Sequence, residues 1–335
     1  MTPRERFHAV VRCERLDRLP IVEWAGYWDQ TVTRWMNEGL SELCPGTDAT
    51  DAPALRACFG LDCWSQLWIR PRAASAPRPP HFGAPLIGNE SEYEELLPHL
   101  YPQPAVDAGP VAGWRDSHEA GERVVWITLE GFFWYPRTLL GIENHLYSFY
   151  DLPQLLHRMN RDLLEFNLRA LDEFCRVTTP DFATIAEDMS YNHGPMLSEE
   201  LFDEFLAPYY RELTAALRER GVLTIVDSDG EVSPLIPWLK RVGVEGILPL
   251  ERASGVDVAA LRGEHPDFVM IGGYDKRVMH LGEAAMRGEF ERLLRPARSG
   301  GFIPSVDHQT PPEVSLADYR LYLRLLGEYA RSAAR

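Results

Sequence analysis

With 335 residues, 45% of them hydrophobic and 25% charged, the chain has the make-up of an ordinary globular protein able to bury a large core, which excludes disordered and fibrous classes. Its 50 acidic against 34 basic side chains leave a net charge of −16, a field that repels nucleic-acid phosphates and anionic membrane surfaces, so neither is expected as a partner. No apolar run reaches the roughly 18–20 residues of a membrane span, and the five scattered cysteines lack Cys-x-x-Cys spacing, which points to a reducing cytoplasm.

Taken in chain order, the first residues read as a helix start rather than a secretory leader. Thr2 can cap, Pro3 suits the first helical position, and Glu5 completes a capping box. Leu19 to Glu23 is the first strand candidate, and the apolar segment Cys63 to Ile69 is a second. Residues 71–115, rich in proline and without periodicity, predict an irregular or hairpin insertion rather than a linker.

From residue 120 onward, short apolar runs alternate with longer amphipathic stretches, the rhythm of successive βα units on a parallel sheet. The runs are Val124 to Leu129, Phe182 to Ala186, Leu223 to Val226, Gly246 to Leu250, Val269 to Ile271 and Phe302 to Ser305. One helix is predicted from Ser198 to about Arg220, kinked at Pro208, and another from Ser315 to Arg331. Eight strand candidates close an α/β single domain spanning 1–335, a (β/α)₈ (TIM) barrel with an N-terminal helix and an insertion near 71–115.

The residues just beyond each strand carry the functional signal. Glu23 and Trp24 stand after the first, Glu130 after the strand ending at Leu129, and Glu187 with Asp188 after the next. Then come Asp227 and Asp229, Glu251, Asp275, and finally Asp307 with His308. In a parallel barrel such positions share the rim where barrel enzymes do their chemistry. Carboxylates after strands also cap helices, but Ser198, Ser233 and Ser315 stand ready as caps further on, leaving the strand-end acids free to turn inward. Glu130, Glu187, Asp229, Glu251, Asp275 and His308 are therefore expected to line one cavity.

Crowded carboxylates raise one another's pKa or recruit a cation. Asp227, Asp229 and His308 offer two carboxylates and an imidazole, a ligand set for Zn²⁺ or another divalent metal. Aromatic residues fall at the same strand ends: Trp24, Tyr27 and Trp28, then Phe132, Phe133, Trp134 and Tyr135, then Tyr191 with His193. Such walls suit a flat or cationic small molecule.

The stretches Pro20-Ile-Val-Glu-Trp24, Gly131-Phe-Phe133, Glu187-Asp-Met-Ser-Tyr-Asn-His-Gly-Pro195, Asp227-Ser-Asp-Gly230, Pro249-Leu-Glu251, Ile271-Gly-Gly-Tyr-Asp-Lys276 and Gly301-Phe-Ile-Pro-Ser-Val-Asp-His308 together resemble the uroporphyrinogen decarboxylase superfamily. The resemblance covers nearly the whole chain, is weakest over 71–115, and is nearest to the branch of corrinoid-dependent methyltransferases. It implies a (β/α)₈ barrel and does not fix the reaction. True uroporphyrinogen decarboxylases carry an arginine-rich segment after the first strand to hold their substrate's carboxylates. Here Glu23-Trp-Ala-Gly-Tyr-Trp28 stands there, which disfavours that substrate.

The superfamily's thiol-directed methyltransferases bind zinc through a His-x-Cys pair and a later Cys, because a metal-bound thiol becomes nucleophilic. The matching positions here resemble Asp227, Asp229 and His308, which keeps a metal but argues against a thiol acceptor. The resemblance thus implies demethylation of a small methylated substrate, aromatic or amine-bearing, with delivery to a corrinoid on a partner protein. Glu187 and Asp229 are the acid or base groups. Glu23, Trp24, Tyr27, Trp28, Glu130, Phe133, Tyr191, His193, Glu251 and Asp275 are the substrate-contacting residues.

Two alternatives remain: a metal-assisted decarboxylase or lyase of a small acid, needing Arg137 or Lys276 at the mouth, and a non-catalytic ligand-binding barrel. The string Asp116-Ser-His-Glu-Ala-Gly121 matches the motif by which corrinoid domains offer a histidine to cobalt. It precedes a strand, with no nucleotide-binding domain after it, and is read as coincidence.

Overall fold

The computed structural model describes residues 1–334. Seven parallel strands form its main sheet in the order β1 (Trp64–Trp68), β2 (Val124–Glu130), β3 (Phe182–Ala186), β6 (Leu223–Asp227), β7 (Gly246–Leu248), β8 (Val269–Tyr274) and β9 (Phe302–Val306). A small antiparallel hairpin, β4 (Ser190–Tyr191) with β5 (Gly194–Pro195), lies outside that sheet. β2, β3, β8 and β9 are buried at every position, which is why they read as continuous apolar runs rather than alternating ones.

Both edges of the sheet touch one short segment, so the sheet has curled. The amide of Asp62, just before β1, donates to the carbonyl of Ile21, while Glu23 accepts from the Ser305 hydroxyl and the Val306 amide of β9. Leu19 to Glu23, the expected first strand, nevertheless forms no ladder with either edge. Prolines explain this on the β9 side. Met270 donates to the Gly301 carbonyl and Asp307 donates to that of Tyr274, so the odd residues of β9 turn their backbone groups toward β8. Pro304, an even residue, therefore turns its missing N–H toward Leu19–Glu23. Ile21 spends both of its backbone groups on Asp62, which leaves Pro20, also without a donor, on the side of β9.

The helix Pro3–Val11 closes the amino ends of the strands. Its capping box forms as the sequence implies, with the Thr2 side chain accepting from Glu5 N and the Glu5 carboxylate from Thr2 N. Phe7 is fully buried, stacked on Phe182 at 5.2 Å and edge-on to Trp64 at 5.4 Å. Higher up, the exposed Gln66 donates to Thr128 at 2.7 Å and Thr128 meets Thr184 at 2.6 Å, a hydrogen-bonded chain across three strands whose two threonines are buried.

The stretch Ser198 to Arg220 is two helices, Glu199–Phe205 and Ala207–Glu219, because Pro208 fits only the first turn of a new helix. Ser198 and Ser315 cap as expected, whereas Ser233 lies within the 3₁₀ turn Ser233–Leu235 and caps nothing. Residues 71–115 hold no hairpin. They run irregularly to Asn89, which caps the helix Glu90–Leu96, and a second helix, Ala108–Glu119, starts at Asp107. Cys44 and Cys58, scattered in sequence, are joined as a disulfide with Cα atoms 5.8 Å apart. No described helix is long and apolar enough to cross a membrane.

Candidate active site

Because the strands are parallel, the residues after them emerge on one rim, but they do not all turn into it. Asp229, Glu251 and His308 come together there, joined by Asp188, Asp227, Lys276 and Asp307. His308 Nε2 lies 3.8 Å from Asp229 Oδ2, and Trp24 stands edge-on to the His308 ring at 6.3 Å. Lys276 Nζ bonds Glu251 Oε1 at 3.2 Å, while Glu251 Oε2 accepts from the Gly230 amide. Asp307 receives the backbone amides of Arg252 and Lys276. Asp188 sits at φ 41, a left-handed conformation costly for a non-glycine residue and concentrated at functional sites, and its carboxylate faces the Asp229 amide.

One lysine among five carboxylates leaves the cluster short of positive charge. Burial, then the charges of Asp188 and Glu251, push the Asp229 carboxyl up to about 7. Burial raises Asp307 to about 6, with Lys276 opposing. Asp227 is driven well above the usual carboxylate range by burial and by Asp188 and Asp229. Burial, then Lys276, lowers His308, which favours its neutral imidazole. At neutral pH the cluster thus combines a half-protonated carboxyl with a neutral ring.

The other expected residues lie elsewhere. Glu187 is sealed beneath the rim: Oε1 accepts from Phe132 N at 2.9 Å and the Tyr210 hydroxyl at 2.5 Å, and Oε2 from Phe133 N at 2.8 Å and Trp134 N at 3.1 Å. A Cβ on Gly131 would lie 2.2 Å from the Glu187 carboxyl carbon, so only glycine admits this approach. Burial lifts Glu187 to about 7 against those donors. Phe133 is core, edge-on to His145 at 4.7 Å. Glu23 is buried against β9. Tyr27 is buried with its hydroxyl 2.9 Å from that of Tyr319, while Trp28 is exposed at the start of the helix Asp29–Asn37. Asp275 is buried and held by Arg277, which it meets at 2.8 Å. Tyr191 and His193 stand on the hairpin β4–β5, which packs on Gly230, where φ is +87 and a Cβ would meet the Tyr191 amide at 2.6 Å.

The single cavity expected for Glu130, Glu187, Asp229, Glu251, Asp275 and His308 therefore does not form as one set. Glu130, at the end of β2, lines a separate cleft of about 500 Å³ with Arg70, Arg72, Arg78 and Phe82. Its Oε1 accepts from Trp68 Nε1 and Arg70 Nη1, both at 3.1 Å, and its buried Oε2 has no partner. These arginines were not foreseen; the position of Arg70 just past a strand was the one available signal.

The ligand set Asp227, Asp229 and His308 is not assembled either. Among the described residues, no group of three or more His, Cys, Asp or Glu side chains is disposed to hold a metal ion. Asp227 ends β6 at the foot of the cluster, where its carbonyl accepts the Glu187 and Asp188 amides, and Asp229 stands two residues further on. What remains is one carboxylate–imidazole pair, short of the three protein ligands of a catalytic zinc. The residues present do not fit that group. His118, of the corrinoid-like string, is buried at the opposite end of the sheet against Thr178 and Asp181.

The family model of uroporphyrinogen decarboxylase (URO-D) matches residues 136–329. A methyltransferase from Methanosarcina mazei shares the fold over 98% of this chain and 99% of its own, with a TM-score of 0.65 and 15% identity. An alpha-N-acetylgalactosaminidase NagBb from Bifidobacterium bifidum, a quadruple mutant, overlays 91% of this chain and 56% of its own at 12% identity. Its TM-score of 0.28 is too low to argue from. No curated protein matches the chain.

Proposed function

The chain belongs to the uroporphyrinogen decarboxylase family, and from that premise we propose that it is a methyltransferase of the corrinoid-dependent type, removing a methyl group from a small methylated substrate. We also read Leu19 to Glu23 as the eighth stave of a (β/α)₈ barrel whose staves on either side are β9 and β1. The observation that carries the functional reading is Asp229, a carboxyl raised to about 7 and standing 3.8 Å from His308 at the strand ends. The whole-length fold likeness to a methyltransferase supports it.

A methyl ether or methylamine is a poor methyl donor because its oxygen or nitrogen departs with the bonding pair and needs a proton as the bond breaks. A carboxyl titrating near neutrality holds that proton and releases it readily. In the proposed step the acceptor's electron pair makes the new bond to the methyl carbon, the old bonding pair stays on the leaving atom, and Asp229 protonates it. Solvent then returns the proton to Asp229. Neutral His308 stands beside the carboxyl at 3.8 Å, and Trp24 walls the pair. A corrinoid on a separate partner protein would supply the acceptor. No step calls on a metal held by this chain's own residues.

A second reading, decarboxylation of a small acid, is favoured by the arginine-lined cleft beside Glu130. There Glu130, the carboxyl that faces the cleft, would protonate the carbanion left by departing carbon dioxide. Incubating the protein with methoxy- and methylamino-substituted acids and a reduced free corrinoid separates the two. Mass spectrometry should find the demethylated acid, with product formation dependent on the corrinoid. Corrinoid-independent release of carbon dioxide would replace the first reading by the second.

A further inference from the structure

Three arginines stand near the ends of β1 and β2 with no carboxylate in ion-pair contact, among the described residues. Arg78 and Arg72 line the cleft of about 500 Å³ that Glu130 also faces. Arg72 and Arg137 line an adjoining cavity of about 160 Å³ with Phe82, Trp134 and Ile142. The two cavities share Arg72, Pro79 and Phe82 as their common wall. In a chain with 50 acidic and 34 basic side chains, arginines gathered in one place without a carboxylate in ion-pair contact are unexpected.

Arg137 is half-buried. Its one hydrogen bond, 3.1 Å, goes to the backbone carbonyl of Asp188, and the guanidinium lies 5.2 Å over the Trp134 ring. Such a cation, desolvated and facing an apolar wall, is an anchor for a carboxylate, which a guanidinium can meet with two parallel hydrogen bonds. A second, independent observation points to a ligand. Glu130 is 5% exposed, and its Oε2 has no hydrogen-bond partner. A buried acceptor left empty costs about 1–3 kcal/mol, which a donor on a ligand would offset.

We propose that these adjoining cavities bind a small carboxylic acid with an aromatic body. Its carboxylate sits between Arg72 and Arg137, its ring against Phe82, Trp134 and Ile142, and a hydroxyl or amine on it donates to Glu130. This goes beyond the reading above, because neither cavity is lined by Asp229 or His308, and it does not rest on that reading. The binding site itself requires no turnover.

Calorimetric titration of the full chain tests it without activity. We expect 4-hydroxybenzoate to bind more tightly than benzoate, and neutral benzamide at least tenfold more weakly than either. Arg72→Ala should weaken both acids at least tenfold while Arg72→Lys recovers part of the loss, and unchanged melting temperatures would show that both variants fold. Glu130→Ala should erase the preference for the hydroxyl. Benzamide binding as tightly as benzoate, or undiminished benzoate binding in Arg72→Ala, would overturn the site. So would inorganic phosphate displacing benzoate at equal concentration, since that would mark an anion site indifferent to the ring. If these acids bind as expected but the methoxy- and methylamino-substituted acids yield no demethylated product with reduced corrinoid, the functional reading fails and the site stands.

Discussion

Aspartates at the two ends of the same sheet live under opposite conditions. Asp181, just before β3, is buried, yet it accepts from Arg4 Nε at 2.7 Å, His8 Nε2 at 2.8 Å, His118 Nε2 at 3.0 Å and the Val125 amide at 3.0 Å. Burial opposes its ionisation, but those donors together hold it well below the usual carboxylate range. Asp229, beyond the far end of β6, meets further carboxylates instead and is pushed up to about 7. The closed end ties the N-terminal helix to the strands through satisfied charge; the open end keeps charge unsatisfied, where a ligand can relieve it.

The largest expected effect is on chemistry at the open end. Asp229→Asn keeps the shape and removes the transferable proton, so kcat should fall by about 10²–10⁴-fold, the usual contribution of a general acid. Turnover by the wild type should decline above an apparent pKa near 7, and that limb should vanish in the variant. An Asp229→Asn protein with wild-type turnover would reduce the contrast between the ends to electrostatics without chemistry.

At the closed end the comparison predicts the reverse pattern. Asp181→Ala leaves His118 buried beside Thr178 and frees Arg4, so unfolding in urea should show a loss of about 3–5 kcal/mol, typical of a broken buried pair. Residual activity per folded molecule should be unchanged. A smaller loss would mean that the Phe7, Trp64 and Phe182 cluster alone holds the helix.

Glu187 lies between these extremes, strand-end in position yet internally satisfied. Glu187→Gln replaces one acceptor oxygen by an amide nitrogen that faces backbone N–H groups, so stability should fall by about 1–3 kcal/mol. If turnover per folded molecule also falls as far as in Asp229→Asn, Glu187 takes part in the chemistry and not only in positioning the loop after β2.

These contrasts also mark what the sequence could reveal. β2, β3 and β9 were plain because strands buried on both faces write uninterrupted apolar runs, and Thr2, Ser198 and Ser315 because a cap needs only its own neighbours. Leu19 to Glu23 has the composition of a strand, but its failure to pair depends on Pro304, some 280 residues away and on the matching side of β9. That strand-end acids share a rim followed from parallel topology. Which of them turn inward did not, since Glu187 is captured by amides of a loop about 55 residues earlier and Asp275 by Arg277. Arg72 lies in a stretch with no periodicity, where only tertiary structure brings it beside Arg137.

The smallest effect is on stability against pH, and it separates the two ends by sign. Asp181 has a folded pKa below its unfolded one, so its contribution is complete above about pH 4 and is lost as pH falls further. Asp229 has a folded pKa raised to about 7, so the native state binds the extra proton between roughly pH 4 and 7 and stability declines as pH rises through that window. The side chain is 40% exposed, and with solvent screening allowed for, its share is about 1 kcal/mol. Asp229→Asn should therefore match the wild type in urea midpoint near pH 5 and exceed it slightly at pH 8, while Asp181→Ala stays low at both. If Asp229→Asn gains nothing at pH 8, the open end is not strained by its own charge, and a ligand there would have no repulsion to relieve.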